Sequence, residues 1–454
     1  MSELIAKSSL KAVVGLGKTG LAVARFLASQ NCPFIMLDTR EAPANLAEFQ
    51  RAFPGVAVEL GPLNAETLCG VEEVVLSPGV ALSQPALQAA LQHGVSVIGD
   101  IELFTRHAKA PIVAITGSNA KSTVTTLVGE MAREAGLNVG VGGNIGTPAL
   151  ALLEQEADLY VLELSSFQLE TTTRLNARVA TILNVSEDHM DRYDSLMDYH
   201  RAKQRIYFGA QQVVTNRDDA LTQPPLATGV KVISFGLGAP DFNAFGVRRV
   251  GDRKYLAFQF ENLLSVDELL LPGSHNQANA LAALALGQAA GLPMSAMVAT
   301  LKRFRGLEHR CEWVDEIAGV EFINDSKGTN VGATLAALKG LARLPSKLIL
   351  IAGGDGKGAA FDGLRQSLAE NVRAAVLIGR DAKAIGAVAE TVTTVTYAED
   401  MAAAVEEAFT LAQPGDAVLL SPACASFDMF SGFEDRGRQF VAAVQGLAER
   451  EGDA

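Results

Sequence analysis

The sequence predicts an α/β protein of three successive domains, and three observations carry that prediction. Short apolar runs rich in β-branched residues alternate with segments of helical periodicity from one end of the chain to the other. Those runs end in polar, often glycine-bearing loops, where open α/β sheets keep their ligand sites. The length, 454 residues, suits two to four domains with ample core. No short-period repeat interrupts this pattern.

Composition narrows the class. Hydrophobic content of 48% with 20% charged residues is that of a soluble globular protein. A net charge of −13 argues against a non-specific nucleic-acid binder but leaves anionic small molecules open, because local loops can be positive. Cys32, Cys69, Cys311 and Cys424 are scattered without a C-x-x-C pair, which fits reduced thiols in a cytosol. The first residues lack a basic stretch followed by an apolar one, so no secretory signal is expected. Ala280 to Thr300 is uncharged but broken by Gly291 and Pro293, and reads as a buried helix and a turn rather than a membrane span.

The first domain, 1–99, opens with a strand from Lys11 to Val14. Gly15-Leu-Gly-Lys-Thr-Gly20 follows, leading into a helix through Val23, Phe26 and Leu27. A second strand, Phe34 to Leu37, ends in Asp38-Thr39-Arg40. This is G-x-G-x-x-G with a carboxylate on the next strand, the pattern of a dinucleotide site. A UDP group satisfies the same physics, and so does a Rossmann turn with no ligand. Val74 to Leu76 then runs into Ser77-Pro78-Gly79. The boundary falls near Gly99-Asp100 or within 106–110.

The middle domain, 100–304, is built around residues 111–131. The strand Ile112 to Ile115 leads to Gly117-Ser118-Asn119-Ala120-Lys121-Ser122-Thr123, and Val124, Leu127, Val128 and Met131 recur at helical spacing. Strand, small-residue loop, Lys-Ser and helix cradle a nucleotide triphosphate: loop N–H groups face the phosphates, Lys reaches the terminal ones and the hydroxyl serves Mg²⁺. The full G-x-x-x-x-G-K-[ST] pattern is not met, since Ile115 and Ala120 stand at its glycine positions. A glycine-rich loop, 141–148, holds Asn144. The strand Leu159 to Leu162 ends in Glu163, and Val179 to Leu183 leads to Asn184 and His189. Hydroxyl, carboxylate and imidazole at three strand ends make a plausible divalent-metal shell. Lys203 lies among arginines in a helical segment, 199–207, whose default reading is a solvated basic face. Residues 235–271 are less regular and suggest β-hairpins. The polar cluster at 274–279 starts the Ala-rich helix.

The third domain, 305–454, follows a linker from Arg303 to Arg310. Strands at Val320–Ile323, Leu348–Ala352, Ala375–Ile378 and Val418–Leu420 end in polar loops, and 433–447 is helical.

Taken together, the segments 117–123, Gly142-Gly-Asn-Ile-Gly146, Glu163-Leu-Ser-Ser-Phe-Gln-Leu169, 184–193, Asn324-Asp-Ser-Lys-Gly-Thr-Asn330 and Leu420-Ser-Pro-Ala-Cys-Ala-Ser426 resemble the Mur ligase family over essentially the whole chain, and most closely its D-glutamate-adding branch. The resemblance implies a Rossmann-like first domain, a P-loop ATPase-like middle domain and a Rossmann-like third domain. It implies a cytoplasmic peptidoglycan-precursor chemistry in which ATP activates a carboxylate of UDP-N-acetylmuramoyl-L-alanine as an acyl phosphate and D-glutamate attacks it. Small molecules are then the partners of a monomer, with neither nucleic acid nor membrane insertion.

By the same resemblance, Lys121 and the 117–123 loop hold phosphates, and Ser122, Glu163 and His189 serve two Mg²⁺ ions. Lys203 matches a carbamylated lysine. Asn276 or Asn279 faces adenine, with spacing favouring Asn279, and Arg310 and Asp325 approach the nucleotide from the third domain. Lys18, Thr19, Thr39, Arg40 and Gly79 match UDP contacts; Asn144, Ser165 and Gln168 match contacts to the muramoyl-alanine part. Lys327, Thr329, Lys357, Ser426, Phe427 and Phe433 match a D-glutamate pocket, where a dicarboxylate needs cations and hydroxyls. Two positions depart: Ala120 stands where the family often has Gly, and Gly328 replaces a more usual Ala. Ala120 is expected to be tolerated because Gly117 supplies the close backbone approach. ATP on one domain and Arg310, Asp325 and Lys327 on the next imply closure about the 304–310 linker. The rivals are an NAD-dependent oxidoreductase, a non-catalytic UDP-sugar sensor, and a sister ligase adding another amino acid.

Overall fold

The computed structural model describes residues 10–225, 229–271, 273–342 and 346–452. The reading of the first residues as lacking a signal therefore lies largely outside the described residues, as does Pro272.

Among the described residues the strands form three sheets, one per expected domain. The first is wholly parallel, in the order Val58–Leu60, Phe34–Asp38, Lys11–Val14, Glu73–Leu76, Ser96–Gly99. The fingerprint glycines are explained by packing. Gly15 sits at φ +100°, and a Cβ on Gly20 would lie 1.9 Å from the Gly15 carbonyl oxygen.

The second sheet has nine strands, and Ile112–Thr116 lies third from one edge, flanked by Leu159–Glu163 and Val179–Ile182. Its far edge is antiparallel, Ala244–Val250, Arg253–Phe258 and Glu261–Ser265, so the hairpins expected in 235–271 are present. The glycine-rich segment expected as a loop is in part a strand: Val139–Gly143 forms the opposite edge and pairs with Leu159–Glu163. Glycine is tolerated there because an edge strand has one neighbour to satisfy. The Ala-rich segment is two helices, Ser274–Ala290 and Met294–Arg303, broken at Gly291. No helix among the described residues is long and apolar enough to cross a membrane.

The third sheet has six strands, parallel except for the Glu312–Ile317/Val320–Asn324 pair. The first and second sheets are joined tightly. Helix Asp100–His107 starts directly after Gly99. Its Glu102 accepts from the Thr173 and Arg174 N–H groups at 2.7 and 2.9 Å, and Asp100 accepts from Gln168 Nε2 at 3.1 Å. The third unit instead follows an irregular segment between Arg303 and Glu312.

Candidate active site

The phosphate loop lies at the carboxyl end of Ile112–Thr116, where the chain turns into helix Lys121–Glu134. Gly117 is at φ +158°, and Ala120, the residue before the helix, adopts the left-handed conformation at φ +65°. Glycine occupies that conformation without strain; alanine does not. The expectation that Gly117 alone meets the loop's backbone demand is therefore corrected: Ala120 meets part of it under strain.

Lys121 folds back over the loop, its Nζ donating to the Gly117 and Ser118 carbonyl oxygens at 2.9 Å each. Burial lowers its pKa, with Arg310 and Lys357 adding to the effect and Glu163 and Asp188 opposing it. Beneath it lies Lys203. The solvated-face reading of that residue fails: Lys203 is 1% exposed, donates to Gly117 O at 2.8 Å, and sits 4.5 Å from the centre of the Tyr199 ring. Burial first, and then the charge of Lys121, hold its pKa well below the usual lysine value.

Glu163 ends its strand fully buried. Its Oε1 accepts from Asn144 Nδ2 at 2.8 Å, while Oε2 has no hydrogen-bond partner. Asn144 reaches it because Gly143, at φ +100°, lets the chains close; a Cβ there would lie 2.4 Å from Glu163 O. A buried carboxylate oxygen without a donor is what a bound cation or its water would satisfy. Ser122 Oγ accepts from Arg310 Nη2 at 2.6 Å and keeps a second lone pair. His189, at φ +58°, has its pKa lowered to about 4, chiefly by burial, with Lys357 and Lys121 adding to it against Asp188; its imidazole is neutral at pH 7. The edge of Phe167 holds that ring at 4.8 Å between centroids. Among the described residues no three His, Cys, Asp or Glu side chains gather as a closed cage. Mg²⁺ takes one or two protein oxygens and completes its shell with water and phosphate, a demand that the partnerless Glu163 oxygen and the Ser122 hydroxyl can meet.

A cavity at the junction with the third unit is lined by Asn276, Asn279, Arg310 and Asp325 together with Asn119 and Ala120. Asn279 Nδ2 donates to Asn276 Oδ1 at 3.3 Å, so the two amides share this wall. Asp325 accepts from Ser421 Oγ at 2.8 Å and Cys311 N at 3.2 Å, and burial raises its pKa to about 6. A second cleft, about 630 Å³, runs between all three units. Lys18, Thr19, Asn144, Gln168, Glu163, Ser122, Arg310, Lys327 and Phe433 line it. Lys327 Nζ lies 3.8 Å from the centre of the Phe433 ring, and burial lowers its pKa to about 8.

Other expected residues lie off these walls or are engaged elsewhere. Thr39, Arg40 and Gly79 are exposed at the strand ends of the first sheet. Asp38 is not available to a ribose: Oδ2 accepts from Leu16 N at 2.6 Å and Arg40 Nη2 at 2.7 Å, and Oδ1 from Arg40 N and Nε. That removes the carboxylate on which the dinucleotide reading rested. Ser165 caps helix Ser166–Glu170 in a reciprocal box with Gln168. Thr329 is half-buried, Ser426 is buried and Phe427 is 77% exposed. Lys357 forms an ion pair with Asp188 across the two units.

Three contributors were missed at the sequence level. Asp188 and Asn330 bond across the junction. Arg436, fully buried without a carboxylate, donates to Ser326 O at 2.8 Å and to the Cys424 and Ala425 carbonyl oxygens, and so staples the 324–330 loop to the 421–426 loop. Asp188 and Asn330 lie inside segments already singled out; Arg436, on an exposed-looking helix start, gave no local signal.

Comparison with known proteins agrees with this arrangement. Family models match consecutively: the Mur ligase MurD-like N-terminal domain over 9–99, the Mur ligase middle domain over 115–287 and the Mur ligase glutamate ligase domain over 309–424. The chain is 58% identical over 447 residues to the UDP-N-acetylmuramoylalanine--D-glutamate ligase of Pseudomonas fluorescens strain Pf0-1, covering 98% of this chain and 100% of the relative. It is 53% identical to the protein of that name from Marinobacter nauticus, covering 96% and 98%. Among solved structures it shares its fold with Thermotoga maritima UDP-N-acetylmuramate-alanine ligase, with a TM-score of 0.60 at 19% identity, covering 96% of this chain and 99% of that one. It does so equally with T. maritima MurF in complex with ADP, with a TM-score of 0.62 at 15% identity, covering 97% and 95%. With three consecutive domains matched and more than half of its residues shared with full-length relatives, the chain belongs to the Mur ligase family.

Proposed function

We propose that this ligase joins D-glutamate to UDP-N-acetylmuramoyl-L-alanine with ATP, as a cytoplasmic monomer acting on small molecules in peptidoglycan precursor synthesis. The observation that carries the reading is the meeting of Lys121 and Arg310 on the phosphate loop, beside the partnerless Glu163 oxygen, where the three units converge. We take the units as 1–99, 100–304 and 305–454.

A carboxylate is a poor acyl donor, so its oxygen must first take the γ-phosphoryl group of ATP, releasing ADP and leaving an acyl phosphate. The amine of D-glutamate then attacks the acyl carbon. The tetrahedral intermediate loses inorganic phosphate, and the nitrogen loses a proton to give the amide. Lys121 and Arg310 stabilise charge on the transferring oxygens. Asn276 and Asn279 hold the base, and Asp325 the nucleotide from the opposite wall. Ser122, Glu163 and His189 would hold Mg²⁺, which when bound neutralises phosphate charge. Lys18, Thr19, Thr39, Arg40 and Gly79 take the UDP part; Asn144, Ser165 and Gln168 orient the muramoyl-alanine part. Lys327, Thr329, Lys357, Ser426, Phe427 and Phe433 form the D-glutamate pocket. Buried Lys203, its pKa lowered, reaches the neutral form that reacts with CO₂ more readily than an ordinary lysine, and as a carbamate it would supply an anion at the metal's water shell.

Phosphate release from ATP, measured with UDP-N-acetylmuramoyl-L-alanine and a panel of amino acids, tests the reading. Release is expected with D-glutamate. Release with L-glutamate or a diamino acid but not D-glutamate would refute it.

A further inference from the structure

Asn330 holds two jobs at once. It caps helix Val331–Leu341 of the third unit, its Oδ1 accepting from Ala333 N at 2.9 Å. The same amide faces the phosphate loop of the middle unit. Asn119 Nδ2 donates to Asn330 Oδ1 at 3.3 Å, and Asn330 Nδ2 donates to Asn119 Oδ1 at 3.1 Å and to Asp188 Oδ2 at 3.1 Å. Asn330 is 4% exposed, so these bonds are made away from solvent.

Asn119 is held from the other side as well. Its N–H donates to Asn184 Oδ1 at 2.8 Å, and Asn184 Nδ2 donates to its carbonyl oxygen at 3.2 Å. The loop is thus gripped between a strand end of its own sheet and a helix cap of the neighbouring unit. The fit is close: a Cβ on Gly332 would lie 2.6 Å from Ser186 Oγ and 3.3 Å from Asn119 Nδ2. Asp188 is itself tied to the third unit through Lys357.

We propose that Asn330, anchored on Asp188, is a positioning residue that makes the geometry of the phosphate loop depend on docking of the third unit. The inference rests on the ATP-dependent reading above and adds what completes the loop. Asn119 adjoins the strained Ala120, so the segment has little intrinsic preference for the shape seen here and takes it from its neighbours. A misplacement of about 1 Å at such a site costs on the order of 100-fold in rate.

Asn330→Asp separates the two jobs, since aspartate still caps the helix but cannot donate and sets a carboxylate against Asp188. Expected are a fall in kcat for phosphate release of about 100-fold and an unchanged KM for the UDP-substrate, with the fold retained by circular dichroism although the facing carboxylates lower Tm. Asn330→Ser, a good cap too short to reach Asn119, should behave alike. Combining Asn330→Asp with Asp188→Asn exchanges donor and acceptor at this one contact. Because Asp188→Asn also removes the Lys357 ion pair, the recovery is read as a double-mutant cycle, where the coupling should be favourable by at least about tenfold. Small-angle scattering with a non-hydrolysable imido analogue of ATP and Mg²⁺ gives an activity-free readout: wild type stays compact and Asn330→Asp expands. Wild-type kcat in either single variant, or no favourable coupling in the pair, would overturn the proposal. A compact wild type and an expanded variant without D-glutamate-dependent phosphate release would instead leave the latch standing and refute the substrate reading.

Discussion

The molecule contains two strand–loop–helix turns of the same outline, and their strand ends are treated in opposite ways. At Gly15–Gly20 the neighbouring carboxylate, Asp38, is saturated by Leu16 N–H and Arg40. At Gly117–Lys121 the buried groups are left wanting. Glu163 has an oxygen without a donor, Lys203 is an amine without a carboxylate, and Lys121 is bonded only to loop carbonyls. The glycine pattern reports where backbone can approach a diphosphate. Chemistry is placed where buried polar groups are still unsatisfied by the protein itself.

That contrast can be broken at five points. The largest effect is expected from Glu163→Ala, which should lower turnover by about 10²–10³-fold while calorimetry still detects UDP-substrate binding; loss of that binding in a folded variant would contradict the assignment. Lys203→Arg comes next. It keeps charge and length, yet arginine cannot be carbamylated, so turnover should drop on the order of 100-fold, and Lys203→Ala should regain part of it in added acetate. Near wild-type activity of Lys203→Arg would refute the carbamate.

Two buried carboxylates of the first turn and its joint give opposite pH slopes. Burial raises the Asp38 pKa, but the bonds from Arg40 and Leu16 outweigh it and hold the group below the usual value. Its contribution is full above the unfolded pKa and is lost as pH falls through the folded one. Asp38→Ala should therefore cost about 1–3 kcal/mol near pH 7 by orphaning Leu16 N–H. Asp100, with Oδ1 partnerless, is raised to about 6 by burial. The folded state then binds more protons between the two pKa values, and stability falls as pH rises through that window. Asp100→Asn should stabilise at pH 8 by roughly 1–3 kcal/mol and do little at pH 4, as scanning calorimetry at both values would show. The smallest effect belongs to Ala120→Gly. Relief of about 1 kcal/mol of left-handed strain is largely offset by unfolded-chain entropy, and ATP affinity should move less than about tenfold.

Much of this was legible beforehand because parallel strands advertise themselves as β-branched runs with polar ends. The strands at 11–14, 112–116, 159–163 and 179–182 stand where the runs predicted them. The edge strands Val58–Leu60, Glu312–Ile317 and Thr394–Tyr397 did not, since half-exposed edges lack a continuous apolar signature. Lys203 read as solvated because arginines surround it in sequence; its burial comes from the strand above and Tyr199 beside it. Gly328 looked like a mild departure, yet a Cβ there would lie 2.6 Å from Ser421 Oγ and 2.7 Å from Asp325 Oδ2. The tighter of these contacts is set by Ser421, a residue of a different strand end remote in sequence, and leaves no local trace.

The bond from Arg310 to Ser122 spans 188 residues of chain. During synthesis the phosphate loop leaves the ribosome long before the arginine that meets it. On the proposed reading, a nascent or truncated chain presents a nucleotide cradle without the cation that stabilises the transferring phosphoryl group. Such a fragment also lacks the Asn330 contacts that shape the loop, so premature termination would leave a chain unable to turn over ATP.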